Sequence, residues 1–177
     1  MALVPPVTVL GADRFAENLP GLAELLHACI HGGASVNFVL PFPMTEAEAP
    51  WRERVQPAVA AGTHTLLVAR VDGRIAGSVQ LATQTPPNQP HRAEVTKLLV
   101  HPALRRRGIG RALMLALEDT ARGRGRSLVT LDTTTGGAAE PLYACLGYVA
   151  AGMIPDFSLS TTGDRLEATT VMYKLLA

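Results

Sequence analysis

Cysteine is scarce in this sequence. Two of the 177 residues carry a thiol, Cys29 and Cys145. That count gives no support to a disulfide-stapled secreted framework, and a reduced, intracellular protein is the simplest reading. Both thiols fall inside predicted helices, where cysteine usually packs as a small apolar group. An excess of one charge is also missing. Sixteen Lys and Arg stand against fifteen Asp and Glu, a formal net charge of +1. Such a balance argues against a general nucleic-acid binder. No apolar run approaches the roughly 18 residues of a membrane helix. No signal-peptide pattern opens the sequence either, so a cytoplasmic location without a membrane partner is expected. The five histidines, His27, His31, His64, His91 and His101, lack metal-ligand spacing, and no metal is expected. Internal repeats, linkers and low-complexity tracts are absent as well. The rest is an ordinary globular composition, 47% hydrophobic and 18% charged. Its length suits one domain over residues 1–177 with a single core.

The basic residues that do occur are concentrated between Arg105 and Arg126. The stretch Ala93 to Leu113, AEVTKLLVHPALRRRGIGRAL, reads as a strand, a basic glycine loop and the first turn of a helix. Val95, Leu98, Leu99 and Val100 form a short apolar run of strand type. Pro102 ends it, because proline donates no ladder hydrogen bond. Leu113, Ala116, Leu117 and Ala121 then recur at helical spacing. The first N–H groups of a helix lack internal partners and carry the positive end of its dipole. Gly108 and Gly110 let a ligand approach the backbone, and Arg105, Arg106, Arg107 and Arg111 add planar cationic donors. A phosphate or pyrophosphate at a helix N-terminus is the expected ligand. A plain solvated turn and a nucleic-acid patch are the competing readings. No Gly-Lys-Ser/Thr makes this a Walker loop, and no third glycine makes it a dinucleotide fingerprint.

The remaining chain alternates strands and helices, as an α+β or mixed α/β sheet does. Val7 to Leu10 reads as a first strand. A helix follows from about Arg14 to Ile30, with Pro20 marking its start or a bend. Gly32 and Gly33 stop it. His31 to Phe38 is either a cap and connector or one wall of a ligand pocket. Thr45 to Glu48 has capping-box spacing, which predicts a second helix from about Glu46 to Ala61. Asp72-Gly73 between two β-branched runs predicts a hairpin. Arg122 to Arg126 read as helix-end cations. Leu128 to Thr133 is a buried-type strand and Ala138 to Leu146 a short helix. Tyr148 to Ile154 and Leu166 to Lys174 read as two final antiparallel strands around a polar loop, Asp156 to Asp164.

Taken in order, these parts resemble the GNAT N-acetyltransferases. Arg105-x-x-Gly108-x-Gly110 is similar to that family's acetyl-CoA-binding motif, Gln/Arg-x-x-Gly-x-Gly/Ala. Ala139-x-x-x-Tyr143-x-x-x-Gly147-Tyr148 is similar to its other recurring segment. HGGASVNF, HRAEVTKLLV, LDTTTGGAAEPLYACLGY and the late GDRL resemble a branch that inactivates an amino-acid-like toxin. The resemblance implies a mostly antiparallel, twisted sheet of six or seven strands, flanked by about four helices. The key strand and the next one would splay apart at a bulge. It implies acetyl-CoA as cosubstrate and transfer of its acetyl group to the amine of a small molecule. A protein N-terminus or lysine as acceptor, and a non-catalytic CoA-binding regulatory module, are the alternatives.

The resemblance also implies roles. Exposed backbone of Leu98, Leu99 and Val100 would pair with the pantetheine arm, as an added strand does. A backbone N–H at Leu99 or Val100 would be the oxyanion donor. Arg105, Arg106, Arg107, Gly108, Ile109, Gly110 and Arg111 would hold the pyrophosphate. Tyr143 would be the general acid, and Asp132, ranked above Glu94, the base. His31, Gly33, Ser35, Asn37 and Phe38 would face the acceptor, with Pro41 to Met44 and Ala82 to Pro90 as loops where specificity drifts. Gly136 stands where many members carry asparagine, which puts one side-chain contact in doubt. Dimers are common in the family, so a homodimer is open, though no stretch marks an interface.

Overall fold

The computed structural model describes residues 5–177. Asp72 and Gly73 close the expected hairpin with φ of +49° and +78°, the left-handed pair that a two-residue hairpin turn requires. They join β2, His64–Val71, to β3, Arg74–Ala82. The other strands are β1 Val7–Leu10, β4 Arg92–Val100, β5 Leu128–Thr134, β6 Val149–Leu159 and β7 Leu166–Leu175. All seven form one sheet in the order β1-β2-β3-β4-β5-β7-β6. Only β4 and β5 are parallel neighbours; every other pair is antiparallel. This is the mixed, seven-stranded architecture that the resemblance implied.

Helices cover both faces, as a sheet with apolar residues on both sides demands. On one face lies α1, Phe15–His31, together with a π-turn at Trp51–Val55 and α2, Gln56–Ala60. Phe15, Leu22, Leu26 and Ile30 meet Trp51, Leu66 and Val68 there. On the other face lie α3, Ile109–Gly123, and α4, Glu140–Cys145. Leu113 and Leu117 meet Leu67, Val79, Val129 and Leu131 in a second core. Each fully buried leucine contributes about 1.5–3 kcal/mol.

Three expectations need correction. The helix expected over 46–61 forms over residues 49–60, starting later than expected and not as a regular α-helix. A separate 3-10 turn at Met44–Glu46 precedes it, Pro50 sits in its first turn where no donor is needed, and Pro57 removes a donor where the π-turn runs on into α2. Pro20, by contrast, lies inside α1 and does not begin it. β6 runs on to Leu159, past the expected end at Ile154. Its pairing with β7 shifts between Ile154 and Ser158 around Pro155, a residue an edge strand tolerates. The basic segment at the end of α3 works as ties. Arg122 pairs with Asp119 at 2.9 Å, Arg124 donates to Gly62 O, and Arg126 to Pro90 O. Among the described residues, no helix is long and apolar enough to cross a membrane, and no cluster could hold a metal.

Candidate active site

β4 and β5 pair only at Arg92–Leu128, Ala93–Val129 and Glu94–Thr130. Beyond Glu94 the two strands part, while β4 stays paired to β3 and β5 to β7. A gap therefore opens in the middle of the sheet, with backbone groups of β4 facing it. Strand alternation says which ones. His101 N–H donates to Ala76 O at 2.9 Å, so it points to β3. Val100 N–H, one residue back, points the other way, into the gap. Leu99 N–H returns to the β3 side, and its side chain is 1% exposed in the α1-side core.

A bulge lies within this stretch of β4. Ser78 opposes Leu99 and Gln80 opposes Thr96, so Lys97 and Leu98 together oppose Val79. Lys97 takes φ +54° to make the extra residue fit. The two strand halves consequently differ in phase. Ala93 and Val95 face the α3 side, and so do Leu98 and Val100.

At the far end of β4 the chain turns through His101 to Gly108 into α3. Arg106 and Gly108 have φ of +63° and +82°, the left-handed kinks from which concave rings of amides are made. Ala112 N–H is the first of the helix to bond back, to Gly108 O at 3.0 Å. The amides of Ile109, Gly110 and Arg111 therefore point out of the helix start. Gly110 lets α3 start close to α4, where a Cβ would stand 3.1 Å from the Leu142 side chain. Arg106, Arg107 and Arg111 are exposed around this ring. Arg105 instead reaches back, to Val100 O at 3.4 Å and Gly32 O at 3.3 Å.

Asp132 lies two residues past the last paired position of β5, on the α1 face, where Thr169 Oγ1 donates to its Oδ2 at 3.1 Å. Tyr143, on α4, comes from the other face and is 5% exposed. Its ring packs edge-on to Tyr148 at 5.8 Å. Burial raises the Tyr143 phenol well above the usual tyrosine range, and the Asp132 charge raises it further. The phenol thus stays protonated at any physiological pH. Glu94 lies elsewhere, still in the paired part of β4. Its carboxylate is 3.7 Å from Arg92, and its charge is felt by His64. Gly136, with φ +71°, holds a left-handed position that glycine and asparagine both adopt readily.

Of the residues expected to face the acceptor, the structure brings Asn37 and Phe38 to one cavity, while His31, Gly33 and Ser35 lie outside its lining. His31 Nε2–H donates to Phe42 O at 3.0 Å, and the rings of Phe38 and Phe42 stand 4.8 Å apart. Gly33 and Asn37 both have positive φ, and Ser35 is exposed between them. Asn37, Phe38 and Phe42, with Glu53 and Arg54, line a cavity of about 400 Å³. Leu40 N–H donates to Thr161 O at 2.8 Å, joining this loop to the β6–β7 turn. Ala82 to Pro90 lies at the opposite, paired end of β4, where Ala82 opposes Glu94. Sequence reasoning passed over Lys97, whose Nζ donates to Val36 O at 2.9 Å and stands 5.7 Å from the Phe38 ring centre. The signal was there: apolar residues at 93 and 95, then at 98 and 100, mark a phase slip at a lysine.

Residues 35–148 match the model of the acetyltransferase (GNAT) family. The chain is 30% identical over 138 residues to an uncharacterised N-acetyltransferase from the hisH–hisA intergenic region of Azospirillum brasilense. That match covers 76% of this chain and 80% of its relative. Among solved structures, yncA of Salmonella typhimurium, solved with its cofactor acetyl-CoA, superposes with a TM-score of 0.75 at 21% identity, covering 99% of this chain and 95% of that one. Ribosomal-protein-alanine N-acetyltransferase from Brucella melitensis gives 0.76 at 20% identity, covering 97% and 99%. The chain belongs to the GNAT family of acetyltransferases, whose members transfer an acyl group from acetyl-CoA.

Proposed function

We propose that this chain is an N-acetyltransferase that moves the acetyl group of acetyl-CoA to the amine of a small molecule by direct attack in a ternary complex. The observation that carries the reading is the gap beyond Glu94 and Thr130. It has an amide-ringed helix start at one end and the Asp132–Tyr143 pair beside it. The residues present fit acetyl-CoA. The amides of Ile109, Gly110 and Arg111, with the guanidinium groups of Arg106, Arg107 and Arg111, would take the pyrophosphate. The unpaired edge of β4 would take the pantetheine amides.

When bound, the cosubstrate supplies an activated thioester carbonyl. Val100 N–H would donate to the carbonyl oxygen as negative charge grows there. Asp132 would attract the acceptor's ammonium and accept its proton, directly or through water. The nitrogen–carbon bond forms, the carbon–sulfur bond breaks, and Tyr143 O–H gives its proton to the departing sulfur. A coenzyme thiol resembles cysteine, near a pKa of about 8.5, so the departing thiolate is the weaker base of the two and takes a hydrogen bond from the Tyr143 phenol before its proton crosses.

The roughly 400 Å³ cavity is of ordinary small-molecule size. The segments around His31, Asp132 and Gly163 resemble the tabtoxin resistance protein, an acetyltransferase that inactivates a β-lactam amino-acid toxin. An amino-acid-like toxin or antibiotic is therefore the acceptor class to test first, in a cytoplasmic enzyme. Val149, Met153, Ile154, Phe157 and Leu159 are all exposed on the edge strand β6, and a second copy of the chain would cover them.

Isothermal titration with acetyl-CoA tests the reading, with thiol release across free amino acids, aminoglycosides and β-lactam amino acids. Binding with turnover of at least one amine is expected. No binding at millimolar acetyl-CoA by folded protein would sink the proposal. Binding without turnover of any amine, small or peptide, would make the chain a regulatory CoA-binding module.

A further inference from the structure

Lys97 stands in an unusual place. In an unbulged strand it would share the α3 face with Ala93 and Val95, inside an apolar core. The bulge opposite Val79 turns it to the α1 face instead. It holds a left-handed φ of +54° there, a strained backbone for a residue other than glycine. Its ammonium has three N–H donors, and one of them goes to Val36 O. The same ammonium lies by the face of Phe38, a wall of the 400 Å³ cavity that Arg54 also lines. Burial and the Arg54 charge both pull the Lys97 pKa down, while Asp132 pulls it up. Among the described residues, neither Lys97 nor Asp132 has an ion-pair partner within 4.0 Å.

A half-buried cation with spare donors, against the Phe38 wall of a cavity that a second cation lines, is a site for an anion. We infer that Lys97, with Arg54, reads a carboxylate on the acceptor, so that the amine acetylated here belongs to an amino-acid-type zwitterion. The acceptor's ammonium lies toward Asp132 and its carboxylate toward Lys97 and Arg54. Opposite charges then fix its orientation in the gap as well as its affinity. The inference rests on the acyl-transfer reading and adds the acceptor's second charge to it.

Matched acceptors test it. Amino acids and their carboxamides are compared at saturating acetyl-CoA with wild type, Lys97→Met, Lys97→Arg and Arg54→Gln. Wild type should favour each acid over its amide by tenfold or more in kcat/KM. Lys97→Met should raise KM for the acid about tenfold, leave kcat within about threefold and leave the amide unchanged. Lys97→Arg should keep the preference, and Arg54→Gln should weaken it. Equal losses on acid and amide would make Lys97 a brace for the Val36 carbonyl and overturn the inference. So would a wild type indifferent to the carboxylate. If no amine is turned over, the acyl-transfer reading fails first, and thermal stabilisation by the same acids and amides decides the rest. Stabilisation by acids that disappears in Lys97→Met keeps the anion site, and its absence removes it.

Discussion

The two sides of the gap between β4 and β5 are made of different material. The α3 side is built from backbone: amides at Ile109 to Arg111, left-handed turns at Arg106 and Gly108, and the unpaired edge of β4. The side we propose for the acceptor is built from side chains: Phe38, Phe42, Arg54, Lys97 and Asp132, carried by an irregular loop, a π-turn and two strands. Backbone donors recognise a phosphate tail or a peptide-like arm whatever the neighbouring side chains are. Side chains recognise one molecule and can be exchanged without disturbing the sheet. A common cosubstrate and a private acceptor need this division.

The largest test sits where the two sides meet. Tyr143→Phe removes one oxygen from a ring already packed against Tyr148. We expect turnover to fall by a factor on the order of 10²–10⁴, the range for a lost general acid. The acetyl-CoA dissociation constant should stay within about twofold, because that side is held by backbone. Stopped-flow thiol release and calorimetry on the same preparation read both numbers. A matching loss of affinity would show that Tyr143 supports the cosubstrate side, and the division would fail there. The alkaline limb of the rate profile should also lie above the ordinary tyrosine range, since burial and Asp132 both favour the protonated phenol.

Next in size are the two carboxylates. Asp132 sits where β5 has left β4, and its charge reaches both Tyr143 and Lys97. Glu94 sits in the paired part of β4 beside Arg92. Asp132→Asn should lower kcat by about tenfold or more, and Glu94→Gln by less than about threefold. The reverse order would move the reacting centre toward the paired end of the strands.

On the α3 side, Gly108→Ala asks how much the backbone shape matters. No atom crowds a Cβ at this position, but its φ is +82°. A side chain there costs about 1–2 kcal/mol of left-handed strain. If the loop answers by relaxing, acetyl-CoA should bind roughly tenfold more weakly, with kcat at saturation nearly kept. Urea unfolding separates the stability loss from the affinity loss. An unchanged affinity would mean that the arginines, and not the amides, hold the phosphates.

The same division explains what could be read in advance. Glycine spacing, apolar periodicity and Asp72-Gly73 are local signals, and they placed β2, β3, the end of β4 and α3. The splay and Tyr143 came from resemblance to a family, because no local pattern says that two parallel strands will part. The helix expected over 46–61 forms only from residue 49 and carries a π-turn ahead of Pro57, because the capping-box pattern marks a start that a 3-10 turn takes instead. Lys97 was passed over because a bulge is a property of two strands together. The apolar residues at 93, 95, 98 and 100 mark a phase slip, and the register against Val79 shows to which face the lysine turns. Arg105 was grouped with its neighbours by charge, yet its guanidinium bonds to Val100 O and Gly32 O. Charge is visible in a sequence, while the direction of a side chain is a tertiary fact.

The smallest expected effect probes the seam between the two sides. Cys29, near the end of α1, is 1% exposed, and its thiol donates to Val100 O at 3.4 Å. Burial pushes its pKa up to about 11, against the lowering influence of Arg105. Cys145 is exposed on α4. A disulfide-exchange reagent at about pH 8 should therefore modify one thiol quickly and the other only on unfolding. The raised pKa also fixes a sign. The folded protein holds the Cys29 proton more tightly than the unfolded chain, whose value is 9.0. This contribution to stability is fully present below pH 9.0 and is lost as pH rises through about 11. Urea midpoints over that window should fall more steeply for wild type than for Cys29→Ala. Equal reactivity of the two thiols would mean that α1 is not sealed onto β4. The cosubstrate side would then be as adaptable as the acceptor side, and the contrast between them would disappear.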